Sequence, residues 1–243
     1  MSKNFEVVAT SPKGAAGMTN VIAIDGPVAS GKGTIARLLA KRLGWTCLST
    51  GDIYRGISVH MMRANVDPFD KVSVIKCLNC LDMRVRCVDG ATLVFLGEEE
   101  VTEELHTIET SKYVYKIALV TEVRDHASAI QKRIAAEGNL VCEGRDIGSV
   151  VFPNARFKFY LDASVDERAN RRWVQDREQD PKLTFEQVKH GIQKRDHMDM
   201  NRAVSPLVIP DGAYVVDGNP MPSVIVDHML AVVEGRSDVS SVG

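Results

Sequence analysis

The stretch that most restricts the fold is Gly26-Pro27-Val28-Ala29-Ser30-Gly31-Lys32-Gly33-Thr34. The apolar run Val21-Ile22-Ala23-Ile24 leads into it, and Ile35, Leu38, Leu39 and Leu43 follow at helical spacing. Buried strand, glycine-rich turn, lysine and helix in that order make a cradle for phosphate. Main-chain N–H groups from Gly31 to Thr34 would point at anionic oxygens, and the helix dipole adds to their field. Lys32 brings a mobile cation for the β- and γ-phosphates of a nucleotide. The usual pattern puts Ser or Thr straight after the lysine; here Gly33 intervenes and Thr34 follows. A glycine-rich turn without a ligand is the bland alternative, and strand, lysine and helix together weigh against it.

Whole-chain composition adds limits. The 243 residues are 44% hydrophobic and 26% charged, with a formal net charge of -2. No global basic excess points to nucleic acid or an acidic membrane surface, so local clusters must bind any anion. Cys47, Cys77, Cys80, Cys87 and Cys142 are scattered and odd in number, which suits a reducing compartment and a cytoplasmic location. Cys77 and Cys80 form a lone C-x-x-C with no second pair or nearby histidine, read as two helix positions one turn apart. No stretch reaches the roughly 20 apolar residues of a membrane span. Residues 1–20 lack the apolar core of a signal peptide and read as a flexible extension, with Met18 a possible alternative start. Residues 236–243 read as a loose tail.

Along the chain, Gly44 suits the C-cap of the first helix, and Trp45 to Leu48 reads as a strand. The loop Ser49-Thr50-Gly51-Asp52 should lie beside the glycine loop, because ligands gather at the carboxyl ends of parallel strands. Met83–Val88 and Ala91–Leu96, separated by Asp89-Gly90, predict a hairpin that breaks the βαβ rhythm. Val101 to Ala135 reads as helical and contains Arg124. Leu140-Val141-Cys142 is a buried strand ending in Glu143-Gly144-Arg145-Asp146, charges best explained by a ligand or by each other. After the strand Phe157–Leu161, capping boxes at Ser164 and Thr184 open two helices joined by a charged loop. Arg168, Arg171 and Arg172 are spaced for one face of the first, and Arg195, Asp199 and Arg202 for one face of the second. The pair looks like a lid, although a solvated helical hairpin would carry similar charges. Tyr214–Val216 and Val224–Val233 complete the pattern as strand and helix.

Four stretches together carry a family resemblance: Gly26–Thr34, Ser49–Arg55, Glu143–Pro153 and Asp196–Pro206, the last continuing the diagnostic Asn201-Arg202-Ala203-Val204-Ser205-Pro206-Leu207. GKGT itself is similar to the loop of nucleoside monophosphate kinases. The chain resembles the cytidylate kinase family in its short bacterial-type form, from Val21 to Val233. That resemblance implies an α/β fold: a doubly wound, five-stranded parallel P-loop sheet with a nucleoside-monophosphate-binding insertion and a helical lid. The kinase domain would span 21–235, with the insertion at about 67–107 and the lid at about 172–181.

The resemblance also assigns roles. Gly26, Pro27, Val28, Ala29, Ser30, Gly31, Lys32, Gly33 and Thr34 would hold ATP, with Arg168 and Arg172 closing on the triphosphate. Arg55, Arg145 and Arg202 would bind the acceptor's phosphate, and Arg195 and Asp199 its ribose. Thr50, Arg124 and Asp146 would read cytosine. Lys32, Arg145, Arg172 and Arg202 are the catalytic set, and Thr34 and Glu143 the candidates for Mg²⁺. Tyr115 stands where the family usually has a serine against the base, and Met198 where it often has another arginine. The implied reaction is ATP-dependent phosphorylation of CMP and dCMP by a monomer that needs neither nucleic acid nor membrane. A kinase for UMP or AMP, or a nucleotide-binding switch without transfer, are the rival readings. Phosphoryl transfer between two anionic groups needs positioning and cations more than a general base, which fits many arginines and no His-Asp pair beside a nucleophile.

Overall fold

The computed structural model describes residues 8–9, 20–178 and 180–236. Most of the expected extension and tail therefore lies outside the described residues. In chain order the strands are β1 (Val8–Ala9), β2 (Val21–Asp25), β3 (Thr46–Ser49), β4 (Met83–Val88), β5 (Ala91–Leu96), β6 (Glu99–Glu100), β7 (Leu140–Glu143), β8 (Phe157–Asp162) and β9 (Tyr214–Asp217). The helices are α1 (Lys32–Leu43), α2 (Thr50–Arg63), α3 (Lys71–Asn79), α4 (Ile108–Ile117), α5 (Thr121–Ala136), α6 (Val165–Asp176), α7 (Phe185–Asn201) and α8 (Pro222–Val233). A 3₁₀ turn covers Thr102–His106, and a π-turn covers Ile147–Val151. Among the described residues no helix is long and apolar enough to cross a membrane.

Five strands form a parallel sheet in the order β3-β7-β2-β8-β9. Its central strands are short apolar runs, Ile22-Ala23-Ile24 and Leu140-Val141-Cys142, all fully buried as strands covered on both faces require. The chain leaves β2 through Gly26, where a Cβ would lie 2.3 Å from the Leu161 carbonyl oxygen on β8. Only glycine fits there.

By contacts the chain divides into two compact units, residues 1–20 with 43–140 and residues 21–42 with 141–243. The first holds the hairpin. β4 alternates buried and half-buried positions, and Asp89 and Gly90 take φ of 50° and 79°, the two left-handed residues of a type I′ turn. β5 continues antiparallel into β6, and β1 pairs parallel with Arg86 and Cys87. Helix α2 lies close on β5, since a Cβ on Gly56 would come within 2.7 Å of Val94 Cγ1. Arg63 at its end donates to both oxygens of Glu99 and to Glu104, fixing it to β6 and the 3₁₀ turn.

In the second unit Ala169, Val188 and Ile192 form the seam between α6 and α7. Trp173 meets Phe185 edge-on at 6.3 Å and donates its indole N–H to the Leu183 carbonyl. Thr184 and Gln187 form a complete capping box, whereas at Ser164 the hydroxyl accepts from Glu167 N. Two expectations need correction. Ser49 is the N-cap residue of α2 and Thr50 its first residue, so the anticipated loop is helix from there on. Helix α7 stops at Asn201, and Arg202 has ψ of 142°, so Arg202 is not on the face that Arg195 and Asp199 share. The chain turns back after it, and Leu207 N donates to the Asp199 carbonyl at 2.8 Å.

Candidate active site

The glycine loop is held open by its own strain and by props beneath it. Ala29 has φ of 57° and Gly31 of 95°, so two residues flanking Ser30 depart from ordinary strand or helix geometry. Val28 at the apex is gripped on both sides: its N–H donates to Asp196 Oδ1 and its carbonyl accepts from Arg168. Arg168 is itself buried, donating to the Ala163 carbonyl and at 2.7 Å to Asp196 Oδ2. Lys32 folds into the loop, Nζ donating to the Pro27 carbonyl at 2.6 Å and to Ser30 Oγ at 3.2 Å. Burial, then the neighbouring charge of Arg145, holds its ammonium well below the usual lysine range. An anion in the cradle would favour the charged form.

Arg171 donates to the Ser30 and Gly218 carbonyls while paired with Glu167. A cavity of about 200 Å³ opens there, lined by Ala29, Ser30, Thr34, Arg171, Gln175 and Pro220 among others. Arg172 parts company with Arg168 and Arg171, reaching along the exposed helix to Asp176 at 2.7 Å. One-face spacing on α6 therefore yields two arginines on the loop's main chain and one near solvent.

The charged turn after β7 faces the same loop. Gly144 N donates to the Ile24 carbonyl at 3.0 Å, extending the sheet's register by one bond. Arg145 Nε donates to Asp199 Oδ2 at 3.0 Å, and Arg202 lies 3.7 Å from Asp146 Oδ1. Two arginine–aspartate pairs thus join the turn to the end of α7. A Cβ on Gly33 would lie 4.0 Å from Glu143 Oε1, which places that carboxylate over the start of α1. Beneath the turn Asp25 is fully buried, accepting from Ile147 N and Gly148 N at 2.7 Å each.

Arg195 lies on α7 in the second unit, whereas Thr50, Arg55, Arg124 and Tyr115 belong to the first. Thr50 is buried at the start of α2, and Arg55 lies 3.8 Å from Asp52 one turn earlier. Arg124 on α5 is buried, donating to the Ala118 carbonyl, with its guanidinium 5.7 Å from the centre of the Tyr54 ring. Tyr115 is half-buried on α4. Asp25, Arg171, Asp196 and Tyr54 went unassigned in the sequence. Arg171 had a signal, its spacing from Arg168; the others acquire partners only through the fold.

A family model described as cytidylate kinase matches residues 22–235. The chain belongs to the cytidylate kinase family. Curated relatives agree in length as well as in sequence. A cytidylate kinase of Caldicellulosiruptor bescii is 37% identical over 200 residues, covering 82% of this chain and 88% of its own. Those of Caldanaerobacter subterraneus subsp. tengcongensis and Streptococcus uberis are 40% and 41% identical, covering 82% and 81% of this chain and 88% and 87% of their own. The family match begins within β2 and closes just after α8, so it takes in the cradle, the charged turn and the α6–α7 pair alike.

Proposed function

We propose that the protein transfers the γ-phosphoryl group of ATP to CMP, and to dCMP, giving the diphosphate and ADP. One observation carries this reading: the turn that bears Arg145 is bonded to the root of the loop that bears Lys32, through Gly144 N on the Ile24 carbonyl and Ile147 N on Asp25. The charge of Arg145 adds to burial in holding the Lys32 ammonium down. Two cations set side by side suit two anionic substrates that must approach each other. A nucleotide switch needs only the first of them.

In this reading the loop from Gly26 to Thr34 holds the β- and γ-phosphates with main-chain N–H groups and Lys32. Arg168 acts on the donor from below, through Val28, and Arg172 from the solvent side when the α6–α7 pair closes. Arg55, Arg145 and Arg202 hold the acceptor's phosphate, Arg195 and Asp199 its ribose, and Thr50, Arg124 and Asp146 its base. The bond from the γ-phosphorus to the β,γ-bridging oxygen breaks as one to an acceptor phosphate oxygen forms. That oxygen is already ionised near neutral pH, so no side chain has to remove a proton.

Mg²⁺ fits this donor set. Among the described residues no group of three or more His, Cys, Asp or Glu could cage a metal. Thr34 and Glu143 suit an ion held largely by phosphate and water. When bound, it supplies charge neutralisation on the donor. The same reading makes the protein a cytoplasmic monomer meeting its substrates as free small molecules.

Coupled ADP release with CMP, dCMP, UMP and AMP as acceptors tests it. CMP and dCMP should turn over well ahead of the other two. Equal or better turnover with UMP or AMP contradicts the acceptor assignment, and ADP release independent of any acceptor contradicts transfer.

A further inference from the structure

The buried acid at the end of β2 is outside the sets assigned to either substrate, yet its position is demanding. Asp25 is fully buried one residue before the glycine loop. Each carboxylate oxygen accepts one main-chain N–H, from Ile147 and from Gly148, at 2.7 Å. Those amides open the π-turn that directly follows Arg145 and Asp146. The packing leaves no slack. A Cβ on Gly148 would stand 3.2 Å from Asp25 Oδ2, 3.1 Å from Pro210 Cγ and 3.3 Å from Lys158 Cδ. The turn is thus tied at one end to Ile24 through Gly144 N and at the other to Asp25. Both ties hold the main chain, one on either side of Arg145.

We propose that Asp25 is a positioning residue for the acceptor phosphate: its carboxylate clamps the 144–148 turn to the root of the glycine loop and thereby sets the guanidinium of Arg145. This rests on the reading of Arg145 as an acceptor ligand. A neutral apolar residue would spare the cost of a buried charge but would leave two buried N–H groups without acceptors. An anion satisfies both at once, with one oxygen for each. Burial nevertheless lifts the carboxyl to about 6, against the pull of the two N–H bonds, with the Asp146 carboxylate raising it and Lys32 lowering it. From β8, Tyr160 stands opposite in the strand register and Lys158 lies alongside the turn. Protonation removes the charge that the two N–H bonds favour, so the clamp itself loosens in mild acid even though a neutral carboxyl costs the buried fold less.

Asp25→Asn keeps the shape and one acceptor oxygen but turns an NH₂ towards a main-chain N–H. It should raise KM for CMP about tenfold or more and lower turnover, since misplacing a binding group by about 1 Å costs up to 100-fold. ATP affinity, measured without CMP, should stay within about twofold because the loop's N–H groups remain. The acid limb of kcat/KM for CMP should also become shallower. Wild type loses two protons' worth of activity there, one from Asp25 and one from the CMP phosphate, which titrates near 6 as phosphomonoesters do. The variant keeps only the phosphate's. In case the variant does not fold, wild-type amide exchange provides a second reading. The protection factors of Ile147 and Gly148 should fall more than about tenfold from pH 7 to pH 5, while those of β2 hold. Unchanged KM for CMP, equal loss of ATP binding, or constant protection at Ile147 and Gly148 overturns the proposal. Wild-type turnover with CMP is the separate check on the reaction: its absence overturns both readings, whereas normal wild-type turnover beside an unaffected variant overturns this one alone.

Discussion

A carboxylate with no solvent contact works against the fold, and Asp25 measures by how much. Its folded pKa of about 6 exceeds the ordinary 3.8, so the folded chain binds the proton more tightly than the unfolded one. Its contribution to stability is complete below about pH 4, declines as pH rises, and levels off above about pH 6. A shift of about two units corresponds to roughly 3 kcal/mol. Urea unfolding at pH 4 and pH 7 should therefore show wild type losing about 3 kcal/mol relative to Asp25→Asn over that interval. A constant difference would mean the buried charge costs nothing. Lys32 poses the opposite case, a cation whose value lies in the ligand it meets. Lys32→Ala should lower turnover by about two to three orders of magnitude with far-ultraviolet circular dichroism unchanged. Arg202→Ala should likewise reduce turnover with CMP far more than stability; intact turnover would remove Arg202 from the acceptor site.

At the scale of elements, the α6–α7 pair grips the apex of the loop through the buried Arg168–Asp196 ion pair, beside the Arg171 bond to Ser30. Arg168 and Asp196 are 5% and 10% exposed at their side chains, and between them they hold both main-chain groups of Val28. Arg168→Ala leaves the Asp196 charge buried without its partner, which should cost about 3–5 kcal/mol in urea unfolding. A cost below about 1 kcal/mol, as for a surface pair, would show that the loop does not depend on it. What could be read from the sequence here was local chemistry. Asp89-Gly90 gave the hairpin, Gly44 the end of α1 at φ of 67°, and Thr184 with Gln187 the start of α7. Helical spacing did less well where helices stop. It carried Arg202 onto α7, which ends one residue earlier, and it put Arg172 with Arg168 and Arg171 although Arg172 turns along the exposed helix to Asp176. Asp25 was illegible for another reason: its partners lie 122 and 123 residues away and are main-chain N–H groups, which no side-chain pattern announces.

For the whole molecule, order and spacing conveyed more than any one motif. The glycine loop by itself pointed to phosphate; the turn Glu143–Asp146 and the stretch around Arg202, each in its place along 243 residues, narrowed that to a family. The fold then joined these distant stretches within one unit: the turn of Arg145 on β2 through Gly144 N, Arg145 on Asp199, Asp146 beside Arg202. Tyr115, half-buried on α4, stands where the resemblance implies a small serine against the base. The most direct measurement is ADP release by the purified chain with ATP and Mg²⁺, comparing CMP, dCMP, UMP and AMP at equal concentration. Release that requires an acceptor and is fastest with CMP and dCMP is the predicted result. Release that ignores the acceptor, or that favours UMP or AMP, would contradict the assignment of this site.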